Sequence, residues 1–167
     1  MSRSMVVSGG DYEHVLDFDN AQAAQGALHY AVTGLGDLSR IVLGGQQFDV
    51  AEYSLANYIM LRDRGDDRLS AIPVFPSRAF RNVSVFVPLD SPLHEVRQLA
   101  GRSVGVSDFA MTTAVWTRGH LHDESGLDWK DITWHTGASP RFPAPDGVRA
   151  QVTTDDLEDR LLAGEID

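Results

Sequence analysis

Two arginines three residues apart, Arg78 and Arg81, lie in Phe75-Pro76-Ser77-Arg78-Ala79-Phe80-Arg81, which interrupts two apolar, β-prone runs. A guanidinium is a forked donor matched to a carboxylate. The pair can clamp such a group, or serve in surface or structural ion pairs. Thr112 and Thr113 stand where a long helical run opens. A helix N-terminus offers unpaired N–H groups and a partial positive charge to an anion, and two hydroxyls add donors there; the simpler role is for one threonine to cap the helix. Gly9-Gly10-Asp11-Tyr12 leaves a first strand. Its glycines let main chain approach a ligand closely, and Asp11 and Tyr12 add an acceptor and a donor, although a Gly-Gly pair also makes an ordinary tight turn. His135 ends the strand Ile-Thr-Trp-His-Thr-Gly beside Gly137, where an imidazole can exchange a proton near neutrality or fill a partly buried polar position. Glu52 closes a short strand just before Ser54, which suits a helix N-cap. His120 and Glu124 are one helical turn apart and fit a solvated pair. With no HExxH pattern and no second histidine pair, no metal site is expected.

The elements that must position these residues alternate strand and helix. Strands are expected at Ser4 to Ser8, Leu28 to Thr33, Phe48 to Glu52, Ser70 to Val74, Asn82 to Val87, Arg102 to Val106 and Asp131 to Thr136. Helices are expected at Gly36 to Gly44, from Leu55 to the Arg64-Gly65 turn, over Leu93 to Ala100, from Met111 to the Ser125-Gly126 stop, and over Leu157 to Ala163, with a short one within Asp17 to Gln25. Ala138 to Val148, with Pro140, Pro143, Pro145 and Gly147, reads as an irregular loop. Repeated strand-helix-strand order implies right-handed crossovers and mainly parallel sheets, an α/β protein. Pro88 to Pro92 has the composition of a linker.

The chain has 167 residues, 43% apolar, enough for an ordinary core. A net charge of −10 with scattered charges argues against a nucleic-acid surface. There is no cysteine, hence neither a disulfide nor a thiolate metal site. No apolar run reaches membrane-spanning length, and Met1 to Gly10 has no signal-peptide core, so a cytoplasmic location is expected.

The run Ile72-Pro73-Val74-Phe75-Pro76-Ser77-Arg78-Ala79-Phe80-Arg81, with FDVAEYSLANYIM before it and GRSVGVSDFAMTTAVWTRG after it, closely resembles the 4,5-dihydroxyphthalate decarboxylase family from about Phe48 to Gly137. The resemblance implies the two-lobed fold of type 2 periplasmic binding proteins, with residues 1–89 in the first lobe and 90–167 in the second. It also implies an incomplete second lobe at the C-terminus, to be supplied by a second polypeptide or a partner copy, or else a sequence that is a fragment of a longer protein. The implied activity is decarboxylation of a dihydroxylated aromatic dicarboxylate, a reaction that needs no cofactor in principle, because protonation of the ring carbon lets carbon dioxide leave. In that reading Arg78 and Arg81 clamp one carboxylate, and Thr112 and Thr113, facing Arg78 across an interlobe cleft, hold the other. Ser54 and Tyr12 contact ring hydroxyls, and His135, or failing it Glu52 or Asp11, delivers the proton. Two other functions fit the same fold: a solute-binding protein for a carboxylate, and a different small-acid enzyme.

Overall fold

Val6 and Val7, β-branched and flanked by Met5 and Ser8, start the strand on which the first sheet is built. The computed structural model describes residues 4–15, 28–44, 48–80 and 85–167. By its internal contacts the chain divides into Met1–Ala79 and Phe80–Asp167. In the first unit, β1 (Met5–Gly9) lies between β2 (Leu28–Val32) and β3 (Val50–Ala51), and both pairings are parallel. The ladder continues past the short β3, since Asp49 N–H donates to the Val6 carbonyl and Glu52 N–H to the Ser8 carbonyl, each at 2.8 Å. Helix α1 (Leu35–Gly44) follows β2, and α2 (Leu55–Asp63) follows β3. Ser54 caps α2, its hydroxyl accepting from Asn57 N–H at 3.4 Å, and Ala56, Asn57 and Leu61 form the buried stripe of that helix. The chain leaves α2 through Gly65, whose φ of +78° is one that glycine adopts without penalty.

The expected strand at Ser70 to Val74 does not form, and Val85 to Val87 is likewise outside any strand. Ile72, Val74 and Phe75 are exposed instead. A β-prone run becomes a strand only where a neighbour completes its ladder, and Pro73 and Pro76 have no N–H to give one. The short helix expected within 17–25 falls outside the described residues.

The second unit is built on β4 (Ser103–Val106), β5 (Thr133–Thr136) and β6 (Arg149–Val152), all parallel and in sequence order, with Gly105, His135 and Gln151 in register. Helix α3 (Thr112–Ser125) connects β4 to β5 by way of a 3₁₀ turn at Trp129–Asp131, and α4 (Leu157–Leu162) follows β6. The helix expected over Leu93 to Ala100 is reduced to a 3₁₀ turn at Val96–Leu99, closed by a capping box between Glu95 and Gln98. Gly126 stops α3 in the left-handed conformation, φ +69°. Asp156 caps α4 by accepting from Glu158 N–H at 2.8 Å and from Asp159 N–H at 3.2 Å.

Alternation along β5 sends Trp134 and Thr136 to one face of the sheet and Thr133 and His135 to the other. The Trp134 face carries the core of Leu99, Phe109, Leu121, Leu127, Ile132 and Trp134, where the Trp134 indole donates to the Trp129 carbonyl at 2.8 Å. The other face lies under α4 and the residues after it. A Cβ on Gly105 would stand 2.7 Å from Ile166 Cδ1 and 3.2 Å from Leu157 Cδ2, so glycine lets that layer close on the sheet. Strand β6 was not anticipated. Its four residues, Arg-Ala-Gln-Val, do alternate polar and apolar, but so short a run does not by itself mark a strand, and all four are exposed. Among the described residues no helix is long and apolar enough to cross a membrane.

Ile132 has no exposed surface. We expect Ile132→Ala to cost about 2–5 kcal/mol of stability through lost burial and an unfilled cavity. Urea unfolding followed by tryptophan fluorescence measures this, and a loss below about 1 kcal/mol would mean that the core is packed differently.

Candidate functional site

Parallel pairing brings the carboxyl ends of the strands in each sheet to one edge, where open α/β sheets bind their ligands. In the first unit that edge holds a connected polar cluster. Glu52 follows β3, and its two carboxylate oxygens accept from the Gly10 amide at 3.1 Å and from the Tyr12 hydroxyl at 3.0 Å. The Tyr30 hydroxyl, reaching over from β2, donates to the Gly10 carbonyl at 2.9 Å. Ser8 ties the same strands together, its hydroxyl lying 2.9 Å from the Ala31 carbonyl and 2.8 Å from Thr33 Oγ1. Of the predicted residues, Tyr12 and Glu52 are thus in direct contact and Asp11 is exposed at the same turn, while the Ser54 hydroxyl is engaged in capping α2.

The two glycines here answer to side chains. A Cβ on Gly9 would fall 2.3 Å from the Tyr30 hydroxyl, and one on Gly10 would fall 2.7 Å from the Tyr12 ring. Neither has a positive φ. Burial, with the charges of Glu52 and Asp11 and the Tyr12 phenol nearby, pushes the Tyr30 phenol up to about 12, so it stays a donor at any ordinary pH. Tyr30 is a site residue that sequence reasoning missed, because a tyrosine inside a strand carries no motif. His14, also missed, stacks on Tyr12 with ring centroids 5.6 Å apart and planes at 16°.

Arg78 is exposed, lies outside any regular element and makes no ion pair among the described residues. Arg81 is outside the described residues.

In the second unit the loop from Ser107 to Met111 carries the carboxyl end of β4 into α3. Met111 is the N-cap and forms no side-chain capping bond, so Thr112 and Thr113 are the first two helical residues, and neither is the cap. Asp108 is 6% exposed; its Oδ1 accepts from the Ala110 amide at 2.9 Å. Its Oδ2 lies 2.8 Å from Arg141 Nε but off the N–H axis, a Coulombic contact more than an aligned hydrogen bond. Gly137, after β5, donates its amide to the Ser107 carbonyl at 3.2 Å, and a Cβ there would stand 2.7 Å from that oxygen, so the two loops meet backbone to backbone. A cavity of about 460 Å³ opens beside them, walled by Phe109, Phe142, Pro143, Val148 and Val152 with Thr136 at its end.

His135 is one residue short of the end of β5, buried, and beneath α4. Its Nδ1 lies 3.1 Å from Arg160 Nη1, which can only donate, so Nδ1 accepts and the neutral ring carries its proton on Nε2. Burial and the Arg160 charge hold its pKa below the usual 6.5, against a smaller opposing effect of Glu165. Such a ring is neutral at pH 7 and is weakly suited to donate a proton. His120 Nδ1 and Glu124 Oε1 are 3.8 Å apart on the exposed side of α3, and no group of three metal-ligating residues occurs among the described residues.

A histidine whose pKa is lowered by folding binds fewer protons folded than unfolded. Its share of the stability is present above about pH 6.5 and is lost as pH falls from there through the lower folded value. We expect His135→Gln to reduce the fall in urea midpoint between pH 7.5 and pH 5, and parallel profiles for the two proteins would contradict this.

No family model matches the chain. A 4,5-dihydroxyphthalate decarboxylase from Pseudomonas putida is 32% identical to it over 130 residues, 72% of this chain and 50% of the relative. A second protein of that name, from Comamonas testosteroni, is 39% identical over 90 residues, 54% of this chain and 27% of the relative. The chain spans half or less of the length of these curated relatives. Over most of its own length, then, this α/β chain is a relative of the 4,5-dihydroxyphthalate decarboxylases.

Proposed function

We propose that the chain takes part in decarboxylating a dihydroxylated aromatic dicarboxylate such as 4,5-dihydroxyphthalate, as a cytoplasmic step of aromatic catabolism. The observation that carries this reading is the similarity to two decarboxylases, to one over 72% of the chain and to the other over 54%. The chemistry asks for three things: anchorage of an anion, a proton at the ring carbon that loses its carboxylate, and exclusion of water. On protonation of that carbon the bond to the carboxylate breaks, carbon dioxide leaves, and the electron pair of the broken bond returns to the ring. Ring hydroxyls supply the electron density, so the step as written needs no cofactor.

Each unit has its own share. In the first, Arg78 and Arg81 are assigned to a carboxylate and Ser54 and Tyr12 to ring hydroxyls. Glu52 takes hydrogen bonds from Gly10 and Tyr12 on its two oxygens. It suits a base that accepts a ring hydroxyl proton, with Tyr12 returning a proton to carbon and regaining one from Glu52. In the second, the amides and hydroxyls of Thr112 and Thr113 are assigned to a carboxylate. His135, turned towards Arg160, is a weaker choice of acid than the Tyr12–Glu52 pair.

The working protein, in this reading, also covers apolar side chains now open to water: Ile72, Val74 and Phe75 in the first unit, and Phe80, Phe86 and Leu89 in the second. Exposed apolar side chains of this kind favour association, here with a further polypeptide, a second copy of the chain included. If the partner is a second copy, sedimentation equilibrium of the chain alone should give a mass above 18.3 kDa, and a lone monomer at micromolar concentration rules the second copy out.

The test of the reaction is carbon dioxide release from 4,5-dihydroxyphthalate. With release established, Arg78→Ala should lower kcat/KM roughly 10- to 100-fold, the value of one or two hydrogen bonds to a charged group. Unchanged kcat/KM removes Arg78 from the site, and no release by the unaltered protein removes the decarboxylase reading.

A further inference from the structure

We propose that Arg118 is a positioning residue, whose guanidinium holds the loop from Asp108 to Met111, and with it the start of α3, in the shape a carboxylate ligand requires. The proposal rests on the carboxylate role given above to Thr112 and Thr113. Arg118 is 7% exposed. Its guanidinium lies 3.7 Å over the Phe109 ring, with the Trp129 and Trp134 rings at 5.6 and 5.8 Å, and Nη1 donates to the Phe109 carbonyl at 2.9 Å. No ion pair reaches it among the described residues, and burial lowers its pKa to about 10, which still leaves it charged at neutrality. Three aromatic rings and one carbonyl therefore stand in for a counter-ion.

A buried cation costs stability that an apolar side chain of the same volume would not. What the guanidinium adds is a directed bond to main chain. Asp108, the other buried charge of this loop, does the same on the next residue but one, accepting from the Ala110 amide. The Phe109 carbonyl and the Ala110 amide are the two ends of one peptide unit, which is thus fixed from both sides by buried charged side chains. Because Met111 supplies no side-chain cap, this loop is what sets how α3 begins. Arg118 touches no ligand in this scheme and acts through Phe109.

Two variants of the 167-residue chain test it. Arg118→Met keeps the volume and removes the bond to Phe109; Arg118→Lys keeps the charge and loses the planar stack and fork. Hydrogen exchange at the amides of residues 110–114 should quicken by about tenfold or more in both, with β4 and β5 unchanged. Phthalate affinity, measured by titration calorimetry, should fall by about tenfold or more, while the thermal midpoint of Arg118→Met holds or rises. If Arg118→Met does not fold, Arg118→Lys carries both readings. Unchanged exchange at residues 110–114 in a folded variant overturns the proposal, and so does faster exchange with undiminished phthalate affinity. An unaltered chain that ignores phthalate overturns the carboxylate role of α3, and the exchange rates then decide alone whether Arg118 holds the loop.

Discussion

Parallel strand pairing is the constraint from which the placement of the polar groups follows. In each sheet every strand runs the same way, so residues just past the strand ends collect at one edge whatever their separation in sequence. Gly10 and Glu52 are 42 positions apart, yet the register of β1 with β3 puts the amide of one 3.1 Å from the carboxylate of the other. Residues Ser107 and Gly137 meet for the same reason at the ends of β4 and β5. An antiparallel sheet would have divided these groups between two edges.

Close approach at those edges is made possible by glycine, and the partner differs from place to place. Gly9 makes room for a phenol and Gly137 for a carbonyl, while Gly105 admits a layer of apolar side chains onto the middle of a strand. None of the three has a left-handed φ. Their common property is the missing Cβ, which permits contacts that any other residue would obstruct.

Buried polar groups divide into those that join elements and those that shape a loop. Tyr30 and Ser8 join strands of the first sheet, and His135 joins β5 to α4 through Arg160. Arg118 and Asp108 direct their bonds to the main chain of one short loop. In water these groups would be solvated at no cost, so their burial is a charge against stability that is repaid in defined geometry.

The sequence by itself determined the α/β class and most of the elements, since period and punctuation are local properties. Ser54 as the cap of α2, Gly126 as the stop of α3 and the order of strands and helices could all be read from neighbouring residues. The resemblance carried by Phe48 to Gly137 was legible in the same way, as a long run of particular residues. Tertiary structure alone decided what depends on a distant partner. Ser70 to Val74 has strand composition and forms no strand, whereas Arg149–Val152, too short a run to mark a strand by itself, forms one, because a ladder is made by two segments and neither reveals its neighbour. The sequence left His135 open between exchanging a proton and filling a partly buried polar position, and only the packing of α4 showed its ring turned to Arg160. Tyr30 and Arg118 carried no motif, and their importance arises from what lies within 3 Å of them in space.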